Sequence, residues 1–192
     1  FLNSIPALFA CIEAQEHRFQ NFLARLTAQE SFSLDRESVS LAAELTAAFA
    51  KELGFSVEEH PFPRAGSGLV VSRETGSVSA PIGFVAHLDT VHPAGSFPDS
   101  LKPAPEGGLY GPGIVDCKGG VAVALLAMYA LKELGFSRPL RLLLTPDEEV
   151  SNRLTGDDGI AFLQSHVKDC AAAFVCECGK RDEAVVERKG IT

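Results

Sequence analysis

Apolar positions recur at helical spacing through the first fifty residues. Ile5, Leu8, Phe9, Ile12, Phe19, Phe22, Leu23 and Leu26 fall on one face, with Ser4 placed to cap and Pro6 in the first turn, which predicts an amphipathic helix over Ser4–Thr27. After the polar break Gln29–Ser33, Asp35 is placed as a second cap. Leu41, Leu45, Phe49 and Leu53 then advance by one turn each and Gly54 follows the last, so a second helix is expected in the same layer.

Beyond Gly54 the pattern shortens to strand length. Phe55–Glu59, Gly68–Arg73, Ile82–Ala86, Leu140–Thr145, Ala171–Cys176 and Ala184–Arg188 are apolar or alternating runs bounded by Pro and Gly, and they read as strands. Gly119–Leu134 is apolar nearly all round and closes on Gly135, which predicts a helix buried between layers, while Gly159–Val167 reads as a fourth helix. Pro93–Gly113 is expected to be a long functional loop. Strands alternating with helices predict an α/β three-layer sandwich, with helices on both faces of a mostly parallel, mixed central sheet.

Composition bounds the partners. The 192 residues carry a net charge of -8, which argues against a nucleic-acid or anionic-membrane partner, since both call for clustered Lys and Arg. The longest apolar run, Val121–Leu131, falls short of the roughly 20 residues of a spanning helix, so no membrane partner is expected. The N-terminus has no initiator Met and no basic stretch ahead of an apolar one, so it reads as a cut end rather than a signal peptide. Five cysteines at irregular spacing favour a reducing compartment, and a cytoplasmic location is expected.

The candidate chemistry lies where apolar runs stop. Ile82–Ala86 runs into His87-Leu88-Asp89-Thr90, Leu140–Leu144 leads to Asp147-Glu148-Glu149, and Glu177 follows Ala171–Cys176; between them Asp116 sits among glycines ahead of the buried helix. In a strand, residues i and i+2 face the same way, so His87 and Asp89 can enter one site as a ligand and its orienting carboxylate. Taken singly, His87 and Asp89 also fit a solvated strand end, Asp116 a helix cap, and the three successive acids a solvated loop. Gathered at one sheet edge, they suit a cation site in which adjacent carboxylates divide metal binding from general-base work. Cys176 and Cys178 could form a Cys-x-Cys site, but there is no second pair at zinc spacing. Gly111-x-Gly113 invites a dinucleotide reading, which fails because Asp116 replaces the third glycine, and the phosphate-loop pattern fails as well.

His87-Leu88-Asp89-Thr90-Val91, Tyr110-Gly111-Pro112-Gly113 through Asp116-x-Lys118-Gly119-Gly120, Asp147-Glu148-Glu149 and Glu177 together resemble the di-zinc peptidase and deacylase family. That family includes glutamate carboxypeptidase, acetylornithine deacetylase and succinyl-diaminopimelate desuccinylase, and Glu30-Ser31-Phe32-Ser33 with the Tyr-Gly-Pro-Gly-Ile form is most similar to the first branch. The resemblance implies a zinc-exopeptidase-like catalytic domain in which His87 and Glu177 hold one zinc, Glu149 contributes to a second, and Asp116 bridges both. It also implies that Asp89 orients His87, that Glu148 is the general base, that the Asp116–Cys117 peptide is cis, and that cobalt or manganese can substitute for zinc.

The implied function is hydrolysis of an amide bond in an N-acyl amino acid or small peptide, by a full-length protein that dimerises through a lid domain. Family members are about twice as long and supply a further histidine ligand near the C-terminus. His166, the only histidine after Glu149, precedes the Glu177 strand and is in the wrong place for it. Residues 1–192 are therefore expected to be the N-terminal portion of the catalytic domain, without its C-terminal part or lid, and inactive alone. The alternative is a non-catalytic truncated relative, acting as a metal-binding or interaction module.

Overall fold

The computed structural model describes residues 5–97, 101–104 and 108–179, together with Glu183, Val185 and Val186. Helix α1 (Ile5–Ala28) runs from the first described residue, so the expected Ser4 cap lies outside the described residues. Its second half supplies the core contacts, Phe19, Phe22 and Leu26. Phe22 stacks on Phe49 with ring centroids 4.1 Å apart, and Phe19 meets the same ring edge-on at 5.2 Å. Phe49 belongs to α2 (Arg36–Glu52), whose start is fixed as the sequence indicates: the Asp35 carboxylate accepts hydrogen bonds from the backbone N–H groups of Glu37 and Ser38.

Among the described residues a five-stranded sheet follows the order β1 (Ser56–Pro61), β2 (Ser67–Arg73), β6 (Leu140–Thr145), β3 (Ile82–His87), β7 (Ala172–Val175). β6, β3 and β7 pair in parallel, whereas β1 and β2 join antiparallel at the other side, so the sheet is mixed. Successive residues of a strand face opposite ways, and the core divides accordingly. Leu140, Leu142 and Leu144 pack beneath α1, α2 and α3 (Gly119–Glu133), while Leu143 joins Phe62, Val70 and Phe162 of α4 (Asp157–Val167) on the opposite face. Each such fully buried leucine contributes about 1.5–3 kcal/mol relative to exposure.

α3 lies between α1 and the sheet, as its apolar circumference requires, with Val121, Leu125 and Met128 buried. With the turn before it, Ile114–Glu133 is long and apolar enough by composition to cross a membrane, but these buried side chains make it a core helix of this fold.

The structure departs from the sequence-based expectations in several places. β1 is displaced toward Pro61, which an edge strand tolerates because no ladder donor is needed there. The loop Pro93–Gly113 contains a short antiparallel pair, β4 (Lys102–Pro103) with β5 (Leu109–Tyr110); strands of two residues carry no periodicity to detect. α4 starts at Asp157, two residues ahead of the expected Gly159. The expected strand Ala184–Arg188 lies largely outside the described residues, and Val185 and Val186 within it carry no regular structure. Among the described residues β7 is the exposed edge of the sheet, with Phe174 stacked at 5.7 Å on Phe84 of β3.

The parallel strands β3, β6 and β7 end at one rim, where the acidic residues follow.

Gly66 tests the α2–sheet contact, since an added Cβ would lie 2.5 Å from Val39 Cγ1 and 3.0 Å from the Ser40 amide nitrogen. Gly66→Ala is expected to destabilise the chain by about 1–3 kcal/mol, lowering the melting temperature by roughly 2–4 °C per kcal/mol. Gly76→Ala, with open space around it, serves as a neutral control. Asp35→Ala should cost about 1 kcal/mol through the lost cap. Equal melting curves for the Gly66 and Gly76 variants would contradict this packing.

Candidate metal centre

The end of β3 places His87, fully buried, at the centre of the rim. Its Nε2 lies 2.9 Å from Asp116 Oδ1 and 3.6 Å from Glu177 Oε1. Ligand atoms of His87, Asp116 and Glu149 lie within 4.8 Å of one another, as do those of His87, Cys117 and Glu177. The structure thus brings together His87, Asp116, Glu149 and Glu177. Asp116 stands in an irregular turn, Ile114–Lys118, entered through Gly113 at φ 67 and left through Gly119 and Gly120. The Asp116–Cys117 peptide within it is cis. A Cβ on Gly120 would collide with the Cys176 carbonyl oxygen, so glycine there lets the start of α3 dock against the segment that carries Glu177.

Asp89, also fully buried, ties the rim together. Its carboxylate accepts hydrogen bonds from Ser33 Oγ at 2.6 Å, Glu148 N–H at 3.0 Å and Glu149 N–H at 3.2 Å. His87 Nδ1 lies 3.3 Å from Asp89 Oδ1 and 3.0 Å from the Asp89 backbone carbonyl. Asp89 therefore orients the imidazole through both carboxylate and main chain, and the same carboxylate sets the turn bearing Glu148 and Glu149. Asp147 is part of the scaffold as well: it is buried and accepts from Leu154 N–H, Thr155 N–H and Thr155 Oγ1.

The charge balance at the rim fits a bound cation. Burial opposes a charged His87 ring, but hydrogen bonding and attraction from Asp89 and Cys117 outweigh it and push its pKa up to about 12, so a metal ion would bind there only by displacing that proton. Burial raises the Glu149 pKa, and repulsion from Asp116, Asp89 and Glu148 adds to it. Glu177 is likewise pushed up by burial, with His87 working against repulsion from Asp116 and Glu148. Several carboxylates around one imidazole are the oxygen and nitrogen donors that a borderline divalent ion such as zinc accepts. The residues present therefore fit such a group.

Two contributors lay within quoted motifs, but nothing in the sequence assigned their side chains a part in the rim. Ser33 reaches Asp89 from 56 residues away, and Cys117, buried with its thiol pKa raised by burial, accepts the His87 backbone N–H at 3.1 Å. Cys176 and Cys178 belong to neither ligand group among the described residues, and Cys176 instead contacts the Phe174 carbonyl. His166 lies in α4, edge-on to Phe162 at 5.3 Å, in the packing on the far face of the sheet.

Comparison with known proteins bears on this rim. Acetylornithine deacetylases of Salmonella arizonae and Salmonella paratyphi B are each 32% identical to this chain over 126 residues, 62% of this chain and 32% of their own length. The matched segment thus spans about a third of the length of these curated relatives. Human carnosine dipeptidase 1 superposes with a TM-score of 0.75 at 18% identity, covering 90% of this chain and 41% of that one. An M20 family metallo-carboxypeptidase from Sulfolobus solfataricus gives 0.67 at 15% identity, covering 84% and 37%. These structural likenesses show the fold. The model of peptidase family M20/M25/M40 matches residues 83–191, more than half of the chain and a span that takes in every acid and imidazole of the rim, and the chain accordingly belongs to that family.

Proposed function

We propose that the protein to which this chain belongs is a metal-dependent amidohydrolase, acting on an N-acyl amino acid or a small peptide. The observation that carries the reading is the convergence of His87, Asp116, Glu149 and Glu177 at one rim, with the Glu148 backbone held by Asp89 beside them. Kinship with acetylornithine deacetylases and a fold shared with a dipeptidase support the substrate class.

In this reading His87, Glu177, Glu149 and the shared carboxylate of Asp116 would hold two zinc ions, His87 and Glu177 serving one and Glu149 the other, with cobalt or manganese as substitutes. The ions, when bound, would polarise the scissile carbonyl and acidify a water. Glu148 accepts a proton from the attacking water and passes it to the leaving amine nitrogen as the C–N bond breaks, releasing a carboxylic acid and an amine. Asp89 fixes the backbone on which Glu148 stands and the plane of the His87 ring. Residues 1–192 constitute the N-terminal portion of the catalytic unit, and the complete protein works as a homodimer through a lid domain that also selects substrate.

Calorimetric titration of zinc into the metal-stripped chain is expected to show binding that His87→Ala weakens by about 10–100-fold or more. An absence of binding, or binding indifferent to His87, would count against the centre. In the complete protein, Glu148→Gln should retain zinc while the rate of hydrolysis of N-acetyl amino acids or dipeptides falls by about 10²–10⁴-fold. Full activity in that variant would remove Glu148 from its role.

A further inference from the structure

The linker between α1 and α2 supplies no candidate ligand among the described residues, yet it is fastened to the rim at three places. The first is the backbone just past β3. Phe32 lies opposite Thr90, Thr90 N–H donates to the Ser31 carbonyl at 2.8 Å, and Ser33 N–H donates to the Thr90 carbonyl at 3.0 Å. The second lies at the start of the linker, where the Gln29 carbonyl accepts from Lys118 Nζ at 2.7 Å; Lys118 ends the turn that carries Asp116. Asp35 caps α2 two residues beyond Ser33, so the linker is held at both ends as well.

The third attachment is the Ser33 hydroxyl. Ser33 is 1% exposed, and its Oγ lies 2.6 Å from Asp89 Oδ2 and 3.1 Å from the Thr90 carbonyl oxygen. A hydroxyl has one proton to give. The Thr90 carbonyl already accepts the Ser33 N–H and a carboxylate is the stronger acceptor, so the proton goes to Asp89.

The bonds divide between the two carboxylate oxygens. Oδ2 accepts from Ser33 Oγ at 2.6 Å and Glu149 N–H at 3.2 Å, while Oδ1 accepts from Glu148 N–H at 3.0 Å and lies 3.3 Å from His87 Nδ1. The shortest of these contacts, and the one made from farthest outside the rim, is that of Ser33. It fixes the rotation of the carboxylate, and that rotation decides which oxygen meets the imidazole and where the Glu148 and Glu149 amides sit.

We propose that Ser33 is a positioning residue of the metal centre, acting through Asp89 to hold the His87 ring and the Glu148–Glu149 turn relative to each other. Ser33 is not itself a ligand. Without its proton the carboxylate is free to turn, and the longest amide bond, to Glu149 N–H, is the first to be lost. The proposal rests on the metal-dependent function proposed for the rim.

The test compares Ser33→Ala with Ser31→Ala in the complete protein. Ser31→Ala deletes a buried hydroxyl from the same linker, one with no hydrogen-bond partner among the described residues. In the metal-free protein, hydrogen exchange at the Glu149 amide is expected to quicken about tenfold in Ser33→Ala and to stay at the wild-type rate in Ser31→Ala. Zinc affinity measured by calorimetry should fall about tenfold in Ser33→Ala alone, the lower end of the loss when a partner of the ligands is removed. At saturating zinc, kcat for an N-acetyl amino acid or dipeptide should fall about tenfold, with KM within about twofold of wild type. A merely structural serine would lower the melting temperature and leave exchange, affinity and kcat of the folded protein unchanged, which overturns the proposal. Equal losses in Ser31→Ala would trace the effect to linker packing and also overturn it. A wild-type protein that binds no zinc would sink the metal-centre reading and this proposal together, whereas normal wild-type binding with an unaffected Ser33→Ala variant sinks this proposal alone.

Discussion

The rim depends on one buried carboxylate. Asp89 is closed off from solvent and joins two distant parts of the chain, Ser33 between the first two helices and the Glu148–Glu149 turn beyond β6, to its near neighbour His87 at the end of β3. A buried carboxylate is stable only when hydrogen bonds replace the water it has lost, and Asp89 accepts from a hydroxyl and two backbone amides. Its bonds make the ends of parallel strands β3 and β6 a single unit, so that Glu148 and Glu149 are held relative to the imidazole rather than left on a mobile loop.

The other constraint is repulsion. Asp116, Glu149 and Glu177 surround one imidazole, and burial together with like charge raises the pKa values of both glutamates. Packing enforces this closeness: Gly120 brings the start of α3 against the Cys176 carbonyl, and Gly113 lets the preceding turn pass beneath Thr90. The fold therefore holds together acids that would separate in a free chain, and a divalent cation offsets the cost of doing so.

Much of the fold was legible because it follows from local pattern. The Asp35 cap, the steps of α2, the apolar circumference of α3 and the strand-length runs of β3 and β6 each state their element in a few residues. Singly the rim residues also fitted solvated ends and caps; they were legible only as a set, through their placement at one sheet edge and the family resemblance of their motifs. Contributions settled by contacts remote along the chain were not legible. Ser33 looks like any polar loop residue until Asp89 is seen beside it, Cys117 like any buried thiol, and Asp147 like a third ligand until its bonds to Leu154 and Thr155 identify it as scaffold. The β4–β5 pair was invisible because two residues cannot display a period.

The central claim is that the imidazole and carboxylates of this rim, and not its thiols, bind the metal. X-ray absorption at the zinc edge of the zinc-loaded chain tests it most directly. The account predicts a first shell of oxygen and nitrogen only, with the outer scattering of a coordinated imidazole that disappears in His87→Ala. A sulfur-containing first shell, from Cys117 or from Cys176 and Cys178, or a spectrum without imidazole scattering, would contradict it.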